Sequence, residues 1–257
     1  MARIFQSIKF PNNLNKMKLS IIIPTLNEEN YIGDLLESLK NQTFKDFEVV
    51  IIDGKSDDKT KEKALVFQDD LKIRFVTAPK RGIGFQRNYG LKYAKNEDLI
   101  FFDADIVIEK DFLEKINKYL EKNRADVLTS WFEPLSLMKR DKIMFRVFNV
   151  YLEAIKFISP GGGGAFIYAK KKPFVKVGGF SEEIVLGEDF DLIKRMDKKG
   201  YRYKLVRKPR IKVSVRRLNK EGRLRYATNL IKAEIHARMK GPLKDNKKFK
   251  YEFGKYD

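Results

Sequence analysis

The sequence of 257 residues contains no cysteine and a single histidine, His236. The absence of cysteine excludes a disulfide framework, a thiol nucleophile and a thiolate metal site. Because the sequence offers no second histidine or cysteine to complete a metal site, we expect His236 to be a surface histidine rather than a metal ligand. No run reaches the roughly 18 apolar residues that a membrane-spanning helix needs. Residues 1–16 lack the apolar core of a secretory signal, and the expected location is cytoplasmic.

Acidic residues are also scarce relative to basic ones. Lys and Arg number 54 against 35 Asp and Glu, which gives a formal net charge of +19. This balance favours anionic partners, whether nucleic acid, anionic lipid or phosphorylated metabolites, and does not choose among them. The basic residues are spread along the chain and no motif of a known nucleic-acid reader is present. We therefore expect no nucleic-acid partner, and nucleic-acid binding stays an alternative suggested by charge alone.

The first half of the chain alternates strand and helix patterns. Buried-strand runs lie within residues 18–29, 46–60, 72–78 and 97–105, and helical spacing follows each of them. Four such repeats predict a mostly parallel sheet with helices on both faces. Ligands of such sheets bind beyond the carboxyl ends of the strands.

The second half is less regular. Glycine is concentrated there in "GGGG" at 161–164, and no Gly-Lys-Ser/Thr follows, which excludes a P-loop. The predicted elements are a strand at 125–134, a helix at 136–157, a Gly-rich loop entering a strand at 159–171, a helix at 187–200, short strands "YRYKLV" and "RIKVSV", and a basic helix at 222–241.

Two aspartates end the fourth apolar run, "IFFDAD". In an extended segment, Asp103 and Asp105 point to the same side. Two hard oxygen ligands beside a cleft suit Mg²⁺ or Mn²⁺ holding a diphosphate. The alternative is a turn or the N-cap of the following helix.

Four segments together resemble a known family. "SIIIPTLNEE", "VVIIDGKSDDKT", "RGIGFQRNYG" and "IFFDAD" occur in the order and spacing of the inverting family 2 glycosyltransferases with the GT-A fold. The resemblance covers about residues 18–200. It implies an α/β fold of GT-A type, with a Rossmann-like, mostly parallel twisted sheet, helices on both faces and a smaller acceptor-side region.

The resemblance also implies a division of the chain. We expect a single GT-A-like domain over residues 17–241, after an N-terminal extension at 1–16 and before a polar tail at 242–257. Within the domain, residues 17–124 form the nucleotide-sugar half and residues 125–241 the acceptor half.

The resemblance assigns donor-binding roles to residues at the strand ends. Asp53 would accept a hydrogen bond from the base, which suits uracil or guanine, and a plain turn residue is the alternative. Arginines suit phosphate or base carbonyls, with surface solvation as the alternative. Asp103 would contact the ribose and Asp105, with Asp103, the metal. The expected donor-binding residues are Pro24, Thr25, Asn27, Glu28, Asp53, Arg81, Arg87 and Asp103.

A second signature, "LGEDFDLIKRM", supplies the catalytic candidates. By resemblance Asp189 is the base that deprotonates the acceptor, supported by Glu188 or Asp191. Acids at a helix N-terminus are also favoured for capping alone, which is the alternative. Gly162, Gly163 and Gly164 would form the acceptor loop, or simply a flexible loop.

The implied reaction is metal-assisted transfer of a sugar from a UDP- or GDP-sugar, by direct displacement. The Gln-x-x-Arg-Trp motif of the family's polymerases is absent, so a processive polymerase is not expected.

The helix at 136–157 carries basic residues beside a broad apolar face, which fits either an interfacial helix or a core helix with a solvated side. The expected acceptor is a glycan or a polyprenyl-phosphate-type lipid, with peripheral contact at the inner face of an anionic membrane. A sugar-nucleotide-binding protein without turnover is a further alternative.

Overall fold

A computed structural model describes residues 17–240 and residue 243. The predicted extension at 1–16 and the tail, apart from residue 243, lie outside the described residues. The strands are β1 (Leu19–Thr25), β2 (Phe47–Asp53), β3 (Ile73–Thr77), β4 (Asp98–Phe102), β5 (Ile106–Val107), β6 (Val127–Pro134), β7 (Phe166–Lys170) and β8 (Tyr203–Val213). The helices are α1 (Ile32–Lys40), α2 (Thr60–Leu65), α3 (Ile83–Gly90), α4 (Phe112–Lys122), α5 (Lys139–Ile155), α6 (Lys171–Lys176), α7 (Glu188–Lys198), α8 (Arg216–Glu221) and α9 (Arg223–Lys240).

One eight-stranded sheet runs through both halves, in the order β3-β2-β1-β4-β7-β6-β8-β5. Strands β3, β2, β1 and β4 are parallel to one another, so their carboxyl ends share one edge. β7 is antiparallel to both β4 and β6, and β6 is parallel to β8. The antiparallel strand β7 therefore joins the two parallel groups.

The central strands are buried because helices cover both faces of the sheet. Every residue of β1 is buried, as expected for a continuous apolar run in a parallel sheet. On α1, Ile32, Leu35, Leu36 and Leu39 form the apolar stripe that the sequence spacing predicts, and they join the larger core cluster. A second cluster covers the opposite face and includes Phe85, Phe174 and Phe180.

The structure differs from prediction at the C-terminal edge. The two short strands predicted there are one strand, β8, whose pairing with β6 shifts register between Ser130 and Phe132. The short helix α8 was not predicted. Within the described part of the chain, no helix has both the length and the apolar character needed to cross a bilayer.

Candidate active site

Predicted donor-site residues meet at the carboxyl ends of β1, β2 and β4. The segment after β1 carries Asn27 and Glu28, β2 ends at Asp53, and Asp103 follows β4 directly. The parallel registers align Thr25 with Asp53 at this edge. The convergence that strand order predicts is therefore present in the fold.

The Asp53 carboxylate is held in place by its own turn and by β1. The Thr25 hydroxyl donates to Oδ1 at 3.1 Å, and the Ser56 amide donates to Oδ2 at 3.0 Å. The Ser56 hydroxyl donates to Oδ1 as well. An ionised carboxylate offers about four acceptor positions. The described residues supply three donors, which leaves one acceptor position and is compatible with the predicted contact to an N–H group of a base.

The loop after β1 is braced against the loop after β2. Asn27 adopts a positive φ of 55°, a conformation that asparagine tolerates better than most residues. Its backbone amide donates to the Ser56 hydroxyl at 2.9 Å, and its side-chain oxygen accepts from the Asp57 backbone amide at 2.9 Å. Arg81 donates to the carbonyls of Gly54 and Lys55 at 3.1 and 2.9 Å. Pro24 and Thr25 lie buried below this surface.

Helix α3 buries three consecutive polar residues, and each of them holds a separate part of the site. The Gln86 amide donates to the carbonyls of Thr25 at 2.9 Å and Ile52 at 2.7 Å, which ties the ends of β1 and β2 together. Asn88 exchanges two hydrogen bonds with the backbone of Phe180, at 2.8 and 2.9 Å. The functional prediction missed both residues, although both stand in the quoted segment "RGIGFQRNYG".

Arg87, the third of them, connects the two halves of the site. Its guanidinium is 0% exposed. It donates to Asp103 Oδ1 at 2.7 Å, to Glu188 Oε1 at 2.8 Å and to the Gly164 carbonyl at 3.0 Å. The Phe180 ring packs 4.9 Å from its guanidinium carbon. The surface alternative for Arg87 is wrong, and its contacts are with protein carboxylates beneath the site.

An arginine that the sequence analysis did not identify lies beside Asp105. Arg216, in α8, donates to both Glu28 oxygens at 2.7 and 2.8 Å and pairs with Asp105 Oδ2 at 3.1 Å. Its guanidinium carbon stands 4.4 Å from the centre of the Tyr31 ring. Only the tertiary fold brings it to Glu28, which is 188 positions away in sequence.

The acid pair begins α7, as predicted, and points inward. Glu188 pairs with Arg87, whereas Asp189 Oδ1 accepts a hydrogen bond from the Phe190 backbone amide at 2.9 Å. Burial, followed by the charge of Glu188, raises the pKa of Asp189 to about 8. Asp191 instead pairs with Arg195 at 2.7 Å on the helix surface. The structure thus separates Asp191 from the other two acids.

The glycine loop is packed, and the flexible-loop alternative is not supported. A Cβ atom on Gly162 would collide with Thr129, and one on Gly163 would lie 2.9 Å from the Phe132 ring. A Cβ atom on Gly164 would lie 3.0 Å from Arg87 Nη2 and 3.3 Å from Asp189 Oδ2. The backbone of Gly164 therefore forms the wall beside Asp189.

The site gathers more carboxylates than arginines. Arg87 and Arg216 lie among five acids: Glu28, Asp103, Asp105, Glu188 and Asp189. Burial raises the pKa of Glu28 to about 7 and also raises that of Asp105. Burial is the main cause of both shifts, and repulsion from the neighbouring acids Asp103 and Asp105 adds to them, although the whole chain carries +19.

A divalent cation fits this excess of negative charge. Among the described residues no three acids or histidines form a metal cluster. Mg²⁺, however, is commonly held by one or two carboxylates together with substrate phosphates, and not by a cage made only of protein ligands. Asp105 and Asp103 provide that kind of ligand set. In this structure they are paired with Arg216 and Arg87, respectively.

Comparison with known proteins identifies the family. The model of glycosyl transferase family 2 matches residues 20–156, which is more than half of the chain. The chain belongs to glycosyl transferase family 2. The resemblance drawn from the four motifs is thereby confirmed, and the nucleic-acid-binding alternative gains no support.

Two relatives show how far the sequence similarity extends. Poly(ribitol-phosphate) beta-N-acetylglucosaminyltransferase TarS of Staphylococcus aureus strain Mu50 is 37% identical over 116 residues, 44% of this chain and 20% of TarS. An uncharacterized glycosyltransferase of Methanocaldococcus jannaschii is 27% identical over 206 residues, 75% of this chain and 69% of that protein. The similarity thus spans about a fifth of the length of TarS.

Solved structures confirm the fold class. The crystal structure of TarS residues 1–349 in complex with UDP-GlcNAc matches with a TM-score of 0.63 at 24% identity, over 77% of this chain and 58% of that one. Mannosyltransferase PcManGT from Pyrobaculum calidifontis, in complex with GDP-Man and Mn²⁺, matches with a TM-score of 0.69 at 22% identity, over 91% and 66%. At these identities the likeness shows the fold alone.

Proposed function

We propose that this chain is an inverting glycosyltransferase that moves a sugar from a UDP- or GDP-sugar to an acceptor hydroxyl or phosphate. The arrangement around Arg87 is the observation that carries the proposal. One buried guanidinium joins Asp103, on the donor side, to Glu188, on the catalytic helix. This link supports a role for Asp189, next to Glu188, at the strand edge where we propose that the sugar nucleotide binds.

Asp189 is the proposed base. Its Oδ1 accepts the Phe190 amide, and its Oδ2 faces Gly164, where an acceptor would approach. The acceptor oxygen attacks the anomeric carbon from the side opposite the diphosphate, and Asp189 Oδ2 takes the acceptor proton. The bond from the anomeric carbon to the diphosphate breaks, and nucleoside diphosphate leaves. A pKa of about 8 makes Asp189 a stronger base than an ordinary carboxylate.

The donor residues have separate proposed roles. Asp53 reads an N–H group of the base, while Asn27, Glu28 and Arg81 hold the loops that enclose the nucleoside. Asp105 and Asp103 would hold Mg²⁺ or Mn²⁺, which would supply positive charge to the leaving diphosphate. Arg87 is proposed as a positioning residue, because its fully buried guanidinium donates to Asp103, Glu188 and the Gly164 carbonyl and so holds the two acids in place.

The acceptor is proposed only by class. The sequence similarity to TarS spans 44% of this chain and 20% of TarS, so its poly(ribitol-phosphate) acceptor does not transfer to this chain. A glycan or a polyprenyl-phosphate-type lipid remains our proposal. The cytoplasmic location also stays a prediction.

Calorimetric titration with UDP and with GDP, each with and without Mn²⁺, tests the donor site. We expect metal-dependent binding of one nucleotide, and we expect Asp105→Ala to remove the effect of Mn²⁺. Asp191→Ala is the matched control, because that acid pairs on the surface with Arg195. Binding of neither nucleotide in the presence of metal would refute the transferase proposal. Binding without turnover across a panel of sugars and acceptors would favour the non-catalytic alternative.

A further inference from the structure

Exposed apolar side chains are concentrated on one part of the surface. Among the described residues, eight of the ten exposed large apolar side chains lie between positions 135 and 158. Leu137, Phe157 and Ile158 are 94%, 86% and 87% exposed. Patches of this kind mark interaction sites, because water-exposed apolar area is costly to keep without a partner. We call this surface the α5 face; its apolar members are Leu135, Leu137, Met138, Ile143, Val147, Val150, Phe157 and Ile158.

Helix α5 is anchored through its other side. Asn149 exchanges hydrogen bonds with the backbone of Phe132 in β6, at 2.9 and 2.8 Å, and Leu152 is fully buried. Ile143, Val147 and Val150 follow at helical spacing on the outward side. The core-helix alternative therefore accounts for only one side of α5.

Basic side chains border the α5 face. Lys139, Arg140, Lys142 and Arg146 are all exposed. Between residues 135 and 160, all of which the structure describes, the acids are Asp141 and Glu153. Asp141 is buried against Arg223 at 2.7 Å, and Glu153 pairs with Lys156 and Arg207. The exposed part of this stretch is thus apolar and cationic.

A second element extends the same surface. Arg223 approaches both Asp141 and the Met138 sulfur, which places the start of α9 against the start of α5. Leu224, 80% exposed, follows directly. An open groove of about 500 Å³ borders the α5 face and is lined by Leu135, Leu137, Lys142 and Lys212, together with Glu133, which pairs with Arg210.

We infer that the α5 face docks on the surface of an anionic lipid bilayer. Its apolar side chains enter the interface, while the flanking lysines and arginines contact acidic headgroups. Anionic bilayers attract segments that combine basic side chains with an apolar face in this way. Because the exposed charges of the α5 face are positive, an anionic lipid surface complements them and a neutral lipid surface does not.

The location also connects the α5 face to the active site. Gly164, whose backbone lies beside Asp189, comes six residues after Ile158. Six residues span at most about 20 Å, so the α5 face ends close to the proposed base. If the proposed transferase function holds, a lipid-linked acceptor would therefore reach Asp189 from the bilayer. The docking itself does not depend on that function.

Vesicle co-sedimentation tests the inference. The wild-type protein should sediment with vesicles of phosphatidylcholine and phosphatidylglycerol and not with phosphatidylcholine alone. Lys142→Glu/Arg146→Glu, and separately Phe157→Ser/Ile158→Ser, should each lower the partition coefficient about tenfold or more. The controls are Lys61→Glu/Lys63→Glu and Val66→Ser, which alter exposed basic residues and an exposed apolar residue in and beside α2. These controls should bind like the wild type.

Three results would overturn the inference. One is equal sedimentation of the wild type with both kinds of vesicle. Another is a loss of vesicle binding in the control variants that is as large as the loss in the α5 variants. The third is a concentration-dependent dimer in light scattering that the Phe157/Ile158 variant abolishes, which would make the α5 face a contact between copies of the chain. Nucleotide titration of the same variants separates the two proposals: failure of docking with intact nucleotide binding rejects only the membrane surface.

Discussion

Asp189→Asn tests the proposed base and the electrostatics of the site together. Burial raises the pKa of this carboxyl from 3.8 to about 8, with Glu188 adding to the shift. The unfolded chain therefore loses this proton near pH 3.8, whereas the folded protein keeps it until about pH 8. The associated stability is fully present below about pH 4 and is lost as the pH rises through about 8.

The magnitude follows from this window. Each pH unit between the two pKa values costs about 1.4 kcal/mol, so the cost at pH 7 is at most about 4 kcal/mol. Asparagine does not ionise in either state, and it keeps an oxygen for the Phe190 amide. Because Glu188 shares part of the interaction, we expect Asp189→Asn to stabilise the fold by about 1–3 kcal/mol at pH 7.

Urea denaturation between about pH 4 and pH 8 measures this gain. The gain should be near zero at about pH 4 and should grow as the pH rises. In parallel, sugar transfer should fall roughly 10²–10⁴-fold, since a general base is lost, while nucleotide affinity stays within a few-fold. Transfer by the wild type should increase with pH until about 8, as Asp189 ionises.

Asp191→Asn is the control. It changes another aspartate of α7, which lies two residues after Asp189 and pairs with Arg195. It should leave transfer unchanged and lower stability by less than about 1 kcal/mol. A variant at Asp189 that keeps its turnover would refute the base assignment. A stability difference that does not change with pH would refute the electrostatic reasoning.

Three further predictions concern the same site. Arg87→Leu leaves Asp103 and Glu188 without their buried partner, so urea denaturation should show a free energy of unfolding that is lower by about 3–5 kcal/mol. The Arg81 side chain is about half exposed, so Arg81→Leu should lower the same free energy by less than about 1 kcal/mol. Arg216→Ala removes the cation that pairs with Glu28 and Asp105, so Mn²⁺ alone should bind more tightly in calorimetry; an unchanged affinity would contradict competition for these carboxylates. Gly164→Ala should lower transfer at least about tenfold, because its methyl group would press on Arg87 and Asp189, whereas Gly33→Ala, with open space around it, should be neutral; equal activity of both would contradict the packed-loop description.

Local pattern was sufficient for much of the donor half. The apolar runs of β1, β2 and β4 and the stripe of α1 predict their own structure, because each buries a regular face. Parallel strand order then predicts that Asp53, Asp103 and Glu28 share one edge. The family also follows from these motifs, since their order and spacing together are specific.

The partners of the charged groups were decided by the tertiary structure alone. Arg87 and Arg81 both follow β3 and are indistinguishable by sequence, yet Arg87 is fully buried between two carboxylates and Arg81 is half exposed. Arg216 reaches Glu28 because the end of β8 pairs with β5, next to Asp105, and the chain then enters α8 at the donor edge. Periodicity records which face of an element is apolar, but it carries no information about which distant charge a side chain will meet. That choice depends on long-range packing, and here it determines which carboxylate is left to act as a base.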